Sequence, residues 1–119
     1  MKKTLIIGAS TNKQRYSHIA FLRLAEHSIE TIPFGIKVGE INGVQIENEW
    51  KAWKDIHTVT LYINPSLQEE YYDKVRALKV KRVIFNPGTE NPQFEKLLED
   101  DHIEVVLACT LVLLSIDKY

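Results

Sequence analysis

The feature that most constrains this chain is an alternation repeated along its length. A short apolar run gives way to a turn rich in Gly, Pro, Asn and small hydroxyl residues, and then to helical periodicity. Thr4–Ile7 is a continuous apolar, β-rich run, as expected of a strand covered on both faces. Ile19, Leu22 and Ala25 then recur at helical spacing, with Phe21 and Leu24 widening the stripe, which predicts a helix from about 15 to about 27. A second strand is expected over Ile29–Phe34, closed by Pro33 and Gly35. "KVGEINGVQI" reads as a loop with a short edge strand around Val44 and Ile46, and Trp50–Lys54 as one helical turn. "HTVTLYI" is the clearest strand. Asn64-Pro65-Ser66 ends it and starts a helix with Leu67, Tyr71, Val75 and Leu78 on one face. "RVIF" is the next strand, stopped by Asn86-Pro87-Gly88. Phe94, Leu97 and Leu98 predict a helix over Gln93–Asp101, and "IEVVLAC" is the last clear strand. The apolar tail "TLVLLSIDKY" fits a strand or a helix turn equally well.

Strands alternating with helices imply a parallel sheet with right-handed crossovers, hence an α/β fold. No linker, repeat or low-complexity segment interrupts the 119 residues, so one domain over 1–119 is expected. In such sheets the ligand crevice lies beyond the carboxyl ends of the strands, where the strand order reverses. The turns at Gly8–Arg15, Pro33–Gly39, Ile63–Ser66, Asn86–Thr89 and Cys109–Thr110 should therefore share one edge and line one groove.

Composition excludes several functions. Hydrophobic residues make up 45% of the chain, enough for a core without disulfides or metals. The 15 Lys and Arg nearly balance the 16 Asp and Glu, so no global field draws nucleic acid or an anionic membrane, and any anion site must be local. Cys109 has no cysteine to pair with, which fits a reducing, cytoplasmic compartment. Met-Lys-Lys resembles the start of a signal peptide, but the apolar run behind it is too short for one. No stretch approaches the ~20 apolar residues of a membrane span.

The first turn, "GASTNKQR", is suited to phosphate. Gly8, Ala9 and Ser10 let the backbone approach a ligand closely, and the helix behind them offers free N–H groups and a positive dipole end. Ser10 and Thr11 supply hydroxyls, and Lys13 and Arg15 supply charge. The second and third glycines of a dinucleotide fingerprint are absent. An ordinary strand-to-helix turn capped by Asn12 or Ser17 accounts for the same residues. Dinucleotide enzymes also place a carboxylate after the second strand to hold a ribose. Here that strand ends in Pro33, Phe34 and Gly35, with Lys37 just beyond, which suits a further phosphate near an adenosine better than a bare ribose.

Candidates for catalysis are few. The four histidines, His18, His27, His57 and His102, are scattered, with no metal-ligand spacing. His18 alone lies near the groove, and a helix-surface position is expected for it. His57 starts a strand and belongs at the opposite edge. Asp100-Asp101 reads as a solvated helix end. Cys109 ends the last strand at the groove edge, as a pocket wall or a thiol facing a ligand's reactive end, and burial as a small hydrophobe is the commoner fate. Trp50, Trp53, Tyr71 and Tyr72 are expected to pack rather than stack on bases, Tyr62 and Phe85 to lie in the core, and Tyr16 to sit at the groove.

"IIGASTNKQRYSH", "IPFG", "HTVTLYINP", "VIFNPGTENP" and "VVLACTLVLL" in this order resemble the stand-alone CoA-binding domain proteins, which are similar to the nucleotide-binding domain of the succinyl-CoA synthetase alpha chain. The resemblance covers essentially the whole chain. It implies a Rossmann-like, doubly wound, mostly parallel sheet with helices on both faces, and CoA or an acyl-CoA as the small-molecule nucleotide ligand. By that likeness Gly8, Ala9, Ser10 and Arg15 would hold phosphates, with Tyr16 beside them. Pro33, Gly35 and Lys37 would lie by the adenosine. Ile63, Asn64 and Pro65 would flank the adenine or the pantetheine arm, and Asn86, Pro87 and Gly88 would lie along the groove towards Cys109. Many relatives carry Asn-Pro after the second strand where this chain has Phe34-Gly35.

The synthetase needs a further domain with a phosphorylated histidine and a partner chain, so the resemblance implies binding rather than acyl-CoA synthesis. The expected function is a CoA-binding protein without evident catalytic machinery, a sensor or regulatory module. Its rival is a small nicotinamide- or thiol-dependent oxidoreductase using Cys109. Leu111, Leu113 and Leu114 of the tail offer a dimer face, although a core role is the ordinary expectation.

Overall fold

In a computed structural model that describes residues 2–119, the alternation becomes a parallel five-stranded sheet. The chain runs β1 (Thr4–Ile7), α1 (Tyr16–Glu26), β2 (Thr31–Phe34), β3 (Glu40–Ile41), β4 (Val44–Gln45), β5 (Thr58–Leu61), two 3-10 turns (Pro65–Leu67 and Glu69–Tyr71), α2 (Tyr72–Leu78), β6 (Arg82–Phe85), α3 (Pro92–Asp100), β7 (Glu104–Leu107) and α4 (Thr110–Ser115). Spatial order is β2-β1-β5-β6-β7, and every neighbouring pair is parallel. β1, β5 and β6 are buried along their whole length, which explains why they read as unbroken apolar runs.

Beyond β2 a single parallel bridge pairs Phe34 with Glu47. Glu47 N–H donates to Pro33 O at 2.8 Å, and Gly35 N–H donates to Glu47 O at 3.0 Å. Pro33 thus turns its missing donor towards the edge of the sheet, where a strand tolerates proline. With this bridge as a one-residue outer strand, strands fall in chain order outward from β1 on both sides. That is the doubly wound, Rossmann-like arrangement, and its order reverses between β1 and β5.

Helices cover both faces. On one, α1 and α4 close over Ile6, Ala9, Phe21, Leu24, Ile41, Ile46 and Leu114. On the other, α2 and α3 close over a larger cluster that includes Leu5, Ile7, Val59, Val75, Val83, Phe85 and Phe94. Phe34 meets Trp50, Trp53 and Tyr71 edge-on at 5.2, 5.9 and 5.7 Å between centroids, so these aromatics pack as expected.

Several local expectations are corrected. β2 starts at Thr31 and not at Ile29, because Ser28 turns left-handed (φ 58°) and Ile29 N–H donates back to Leu24 O, terminating α1. Trp50–Lys54 forms no helix, since its tryptophans are held by the Phe34 cluster. The loop before it holds a small hairpin, β3 with β4, turned by Asn42 (φ 50°) and Gly43 (φ 85°). The helix expected after Asn64-Pro65-Ser66 begins as 3-10 turns, whose tighter rotation points Gln68 inward and leaves Leu67 52% exposed. The tail is helical, with Leu114 buried and Leu111 and Leu113 half-buried, which favours their core role.

Among the glycines, Gly35 leaves the least room beside backbone. A Cβ there would lie 2.4 Å from Ala9 O, whereas a Cβ on Gly88 (φ +93°) would meet open space. Gly35→Ala is therefore expected to cost about 2 kcal/mol or more through forced displacement of the first turn. Gly88→Ala should cost about 1 kcal/mol, from backbone conformation alone. Urea denaturation of the two variants checks the ranking.

Candidate functional site

Because the five strands are parallel, the turns that follow them share the carboxyl edge, as expected from the sequence. The turn after β1 is packed into the switch point. Gly8 (φ +105°) stands where a Cβ would lie 3.0 Å from Ile63 and 3.1 Å from the Tyr62 carbonyl carbon, so the turns after β1 and β5 touch. The N–H groups of Gly8 and Ala9 both donate to Phe34 O at 2.9 Å, which ties the same turn to the end of β2.

Within this turn Ser10 Oγ accepts from Asn12 N–H at 3.0 Å, and Asn12 Oδ1 accepts from Gln14 N–H at 2.9 Å. Asn12 is thereby used in the turn and Ser17 is buried, so neither caps α1. The residue preceding the helix is Arg15, with extended backbone and no capping side chain, and the first turn of α1 carries no acid. The positive end of α1 is left uncompensated by any side chain. Lys13 and Arg15 are exposed beside it, and among the described residues neither enters an ion pair. His18 corrects an expectation: it is buried at 5% exposure, and its Nδ1 lies 2.8 Å from Ser10 O. It braces the turn from within α1, a role that its helical surroundings alone did not reveal.

The loop after β2 is the second wall. Pro33 and Gly35 are buried and shape it from behind, while Lys37 stands in solvent between Ile36 and Val38, exposed at 85% and 79%. Tyr16, 72% exposed at the start of α1, adds an aromatic ring to the same end of the sheet. Exposed apolar side chains interleaved with lysine and arginine suit an amphipathic ligand that is anionic at points along its length. Gly39 stands where a Cβ would lie 2.4 Å from Thr11 Cγ2, so this loop also packs on the first turn.

After β5, Ile63 is half-buried against Gly8, and Asn64 and Pro65 are exposed. The Asn64 side chain accepts from the Ser66 hydroxyl. Gln68, fully buried, donates to Ile63 O at 3.0 Å and to Thr89 O at 2.8 Å, and accepts from Asn91 Nδ2 at 3.0 Å. It joins the turn after β5 to the turn after β6. Its burial is invisible to helical periodicity, because 3-10 turns set its direction.

After β6, Pro87 and Gly88 are exposed, but the Asn86 side chain is buried and fully used. Its amide donates to Thr60 Oγ1 at 2.7 Å and Leu61 O at 2.8 Å and accepts from Thr110 N–H at 2.8 Å. Asn86 therefore shapes the edge from inside, fixing β5, β6 and α4 together. Cys109 is half-buried at the start of α4, and its side chain caps nothing. Beside it the Tyr62 hydroxyl is buried without a hydrogen bond, next to the Thr60 and Thr110 hydroxyls, which bond to each other at 2.8 Å. Burial pushes the Tyr62 phenol up to about 12.

Other charged places lie elsewhere. A cleft of about 520 Å³ lined by Arg76, Lys79, Lys81, Asp101 and His102 opens at the amino ends of β6 and β7, where Arg76 is committed to Asp101 at 2.7 Å. His57, also before a strand, bonds Thr58 Oγ1 at 2.8 Å, and burial together with Arg82 lowers its pKa. Among the described residues no group of three or more His, Cys, Asp or Glu could hold a metal ion, and no helix is long and apolar enough to cross a membrane.

The carboxyl edge thus gathers exposed cationic and apolar side chains. One cation centre lies at the uncapped start of α1, a second at Lys37, and exposed apolar side chains stand with them. Comparison with known proteins shows the family and the fold. The family model described as a CoA binding domain matches residues 2–115. No curated protein matches the chain. Among solved structures, an uncharacterized protein superposes with a TM-score of 0.98 at 50% identity, covering 100% of this chain and 98% of that one. A hypothetical protein from Pyrococcus horikoshii OT3 gives 0.84 at 27% identity, covering 93% and 80%. A Thermus thermophilus protein gives 0.84 at 24%, covering 99% and 91%, a likeness of fold.

Tyr62→Phe tests the orphaned hydroxyl. The neutral phenol is favoured in the folded chain, so its contribution is complete below pH ~10, the unfolded value, and fades as pH rises towards 12. The variant is expected to be more stable by about 1 kcal/mol at neutral pH, since an unpartnered buried group is removed. Its stability should also fall less between pH 10 and 12, as read by denaturant titration across that range.

Proposed function

Given that the chain belongs to the CoA-binding domain family, we propose that it binds CoA or an acyl-CoA along the carboxyl edge of its sheet, as a sensor or regulatory module rather than a catalyst. The observation that carries this reading is the pair of separated cation centres. Gly8, Ala9, Ser10 and Arg15, at the uncapped N-terminus of α1, would take the pyrophosphate. Lys37 would take a phosphate on the ribose, and Tyr16, Ile36 and Val38 would cover apolar parts of the ligand. The turns at Ile63–Pro65 and Asn86–Gly88 would flank the ligand chiefly through backbone and ring atoms, since the Asn86 amide is fully engaged. Cys109 would wall the far end.

A nicotinamide cofactor fits less well. The residue presented after β2 is Lys37, and the nearest acid of the adjoining bridge, Glu47, is paired with Lys51 at 2.7 Å. A cytoplasmic setting suits the free thiol of Cys109.

Titration calorimetry with CoA, acetyl-CoA, NAD and NADP tests the reading. CoA or acetyl-CoA is expected to bind most tightly. Arg15→Ala should weaken CoA by about tenfold or more while leaving the melting temperature in place, because Arg15 is exposed and bonds phosphate in a charge-assisted way. A folded sample that takes up no CoA, or prefers NAD, refutes the proposal.

A further inference from the structure

We propose that Asn48, a residue outside the groove, is the positioning residue that makes this site prefer a 3′-phosphorylated adenosine. The inference rests on the CoA reading above and adds a source of selectivity to it. Asn48 lies just past the Phe34–Glu47 bridge, in an exposed position. Its Nδ2 nevertheless donates to two carbonyls, Gly35 O and Lys37 O, each at 2.9 Å. Only the NH2 half of the amide can serve two carbonyl oxygens, so chemistry fixes the orientation of the side chain. The two acceptors flank Ile36, and the two hydrogen bonds fold 35–37 into one defined bend.

The loop around this bend is anchored on both sides. Gly35 N–H donates to Glu47 O, and Ile46 N–H donates to Gly39 O at 2.8 Å. Gly35 and Gly39 press on Ala9 and Thr11 of the phosphate turn. Between the anchors, Ile36, Lys37 and Val38 project into solvent. Among the described residues, the hydrogen bond from Asn48 is the one that holds the Lys37 backbone. Lysine is a point charge on a flexible stem. On a loose backbone it would attract any anionic ligand weakly and without discrimination. On a backbone held at a fixed distance from the α1 N-terminus, it can favour a ligand whose second phosphate falls at that distance. Asn48 would thus act through Lys37 and touch no ligand itself.

The test compares CoA with dephospho-CoA, which differ only in the 3′-phosphate. Calorimetric affinities for both would be measured with the native chain, Asn48→Ala, Lys37→Ala and the double variant, each checked by thermal melting. The native chain is expected to prefer CoA by about tenfold or more, as a charge-assisted contact gives. Asn48→Ala should cut that preference about three- to tenfold with dephospho-CoA affinity unchanged, and should do nothing further in the Lys37→Ala background. An effect of Asn48→Ala on both ligands alike, or none on their ratio, would mean a merely structural brace and overturn the proposal. Equal binding of the two ligands by the native chain overturns it as well, leaving the CoA reading intact. Binding of neither ligand by a folded native chain removes the CoA reading and this proposal together.

Discussion

The close backbone packing at the head of the sheet is the constraint on which the rest depends. Gly8 and Ala9 hang from one carbonyl, Phe34 O, while Gly35 sits where any side chain would strike Ala9 O. Gly8 in turn lies against Ile63. Three turns, from the ends of β1, β2 and β5, are thereby locked together at the point where strand order reverses. The lock leaves α1, which starts at Tyr16, with no capping side chain, and it brings the Lys37 loop beside the turn after β1. A glycine at position 35 is thus a condition of the groove's shape as much as of the fold's stability.

Around this lock, amides serve as fasteners between loops. Asn86 joins β5, β6 and α4, Gln68 joins the turns after β5 and β6, and Asn48 folds the loop after β2. An amide can donate twice and accept at once, so one side chain can satisfy carbonyls from separate loops without adding charge. Binding edges made of loops need such fasteners, because loops lack the ladder hydrogen bonds that hold strands. The consequence for function is a division of labour. Buried Asn86 and Gln68 and the exposed Asn48 set the shape, while Arg15, Lys37, Tyr16 and Ile36 stand exposed at the same edge.

Much of this was legible in the residues. The strands were readable because a strand buried on both faces must be apolar throughout, and Leu5, Ile6, Val59, Leu61, Val83 and Ile84 obey that. The shared edge followed from parallel topology alone. The Asn42-Gly43 hairpin is missed by such a reading, although an Asn-Gly pair suits its two positive φ angles; the segment reads as a loop with a short edge strand. The burial of His18 and Gln68 left no such mark. A polar residue is buried when a partner happens to face it, and the partners, Ser10 O for one and Ile63 O and Thr89 O for the other, lie in different loops.

By itself, then, the sequence determined the alternation, the parallel sheet, the edge where the turns collect, and the resemblance that points to CoA. These depend on local properties: hydrophobicity, β-propensity and turn chemistry act within a few residues of each position. Only the tertiary structure decided which of those residues face outward and which spend their polar atoms inside. It buried the Asn86 side chain as a staple between β5, β6 and α4, left the N-terminus of α1 open by employing Asn12 elsewhere, and set Asn48 against the backbone of Lys37. Those outcomes depend on distances between segments far apart in the chain, which exist only once both glycine-lined turns have closed on each other.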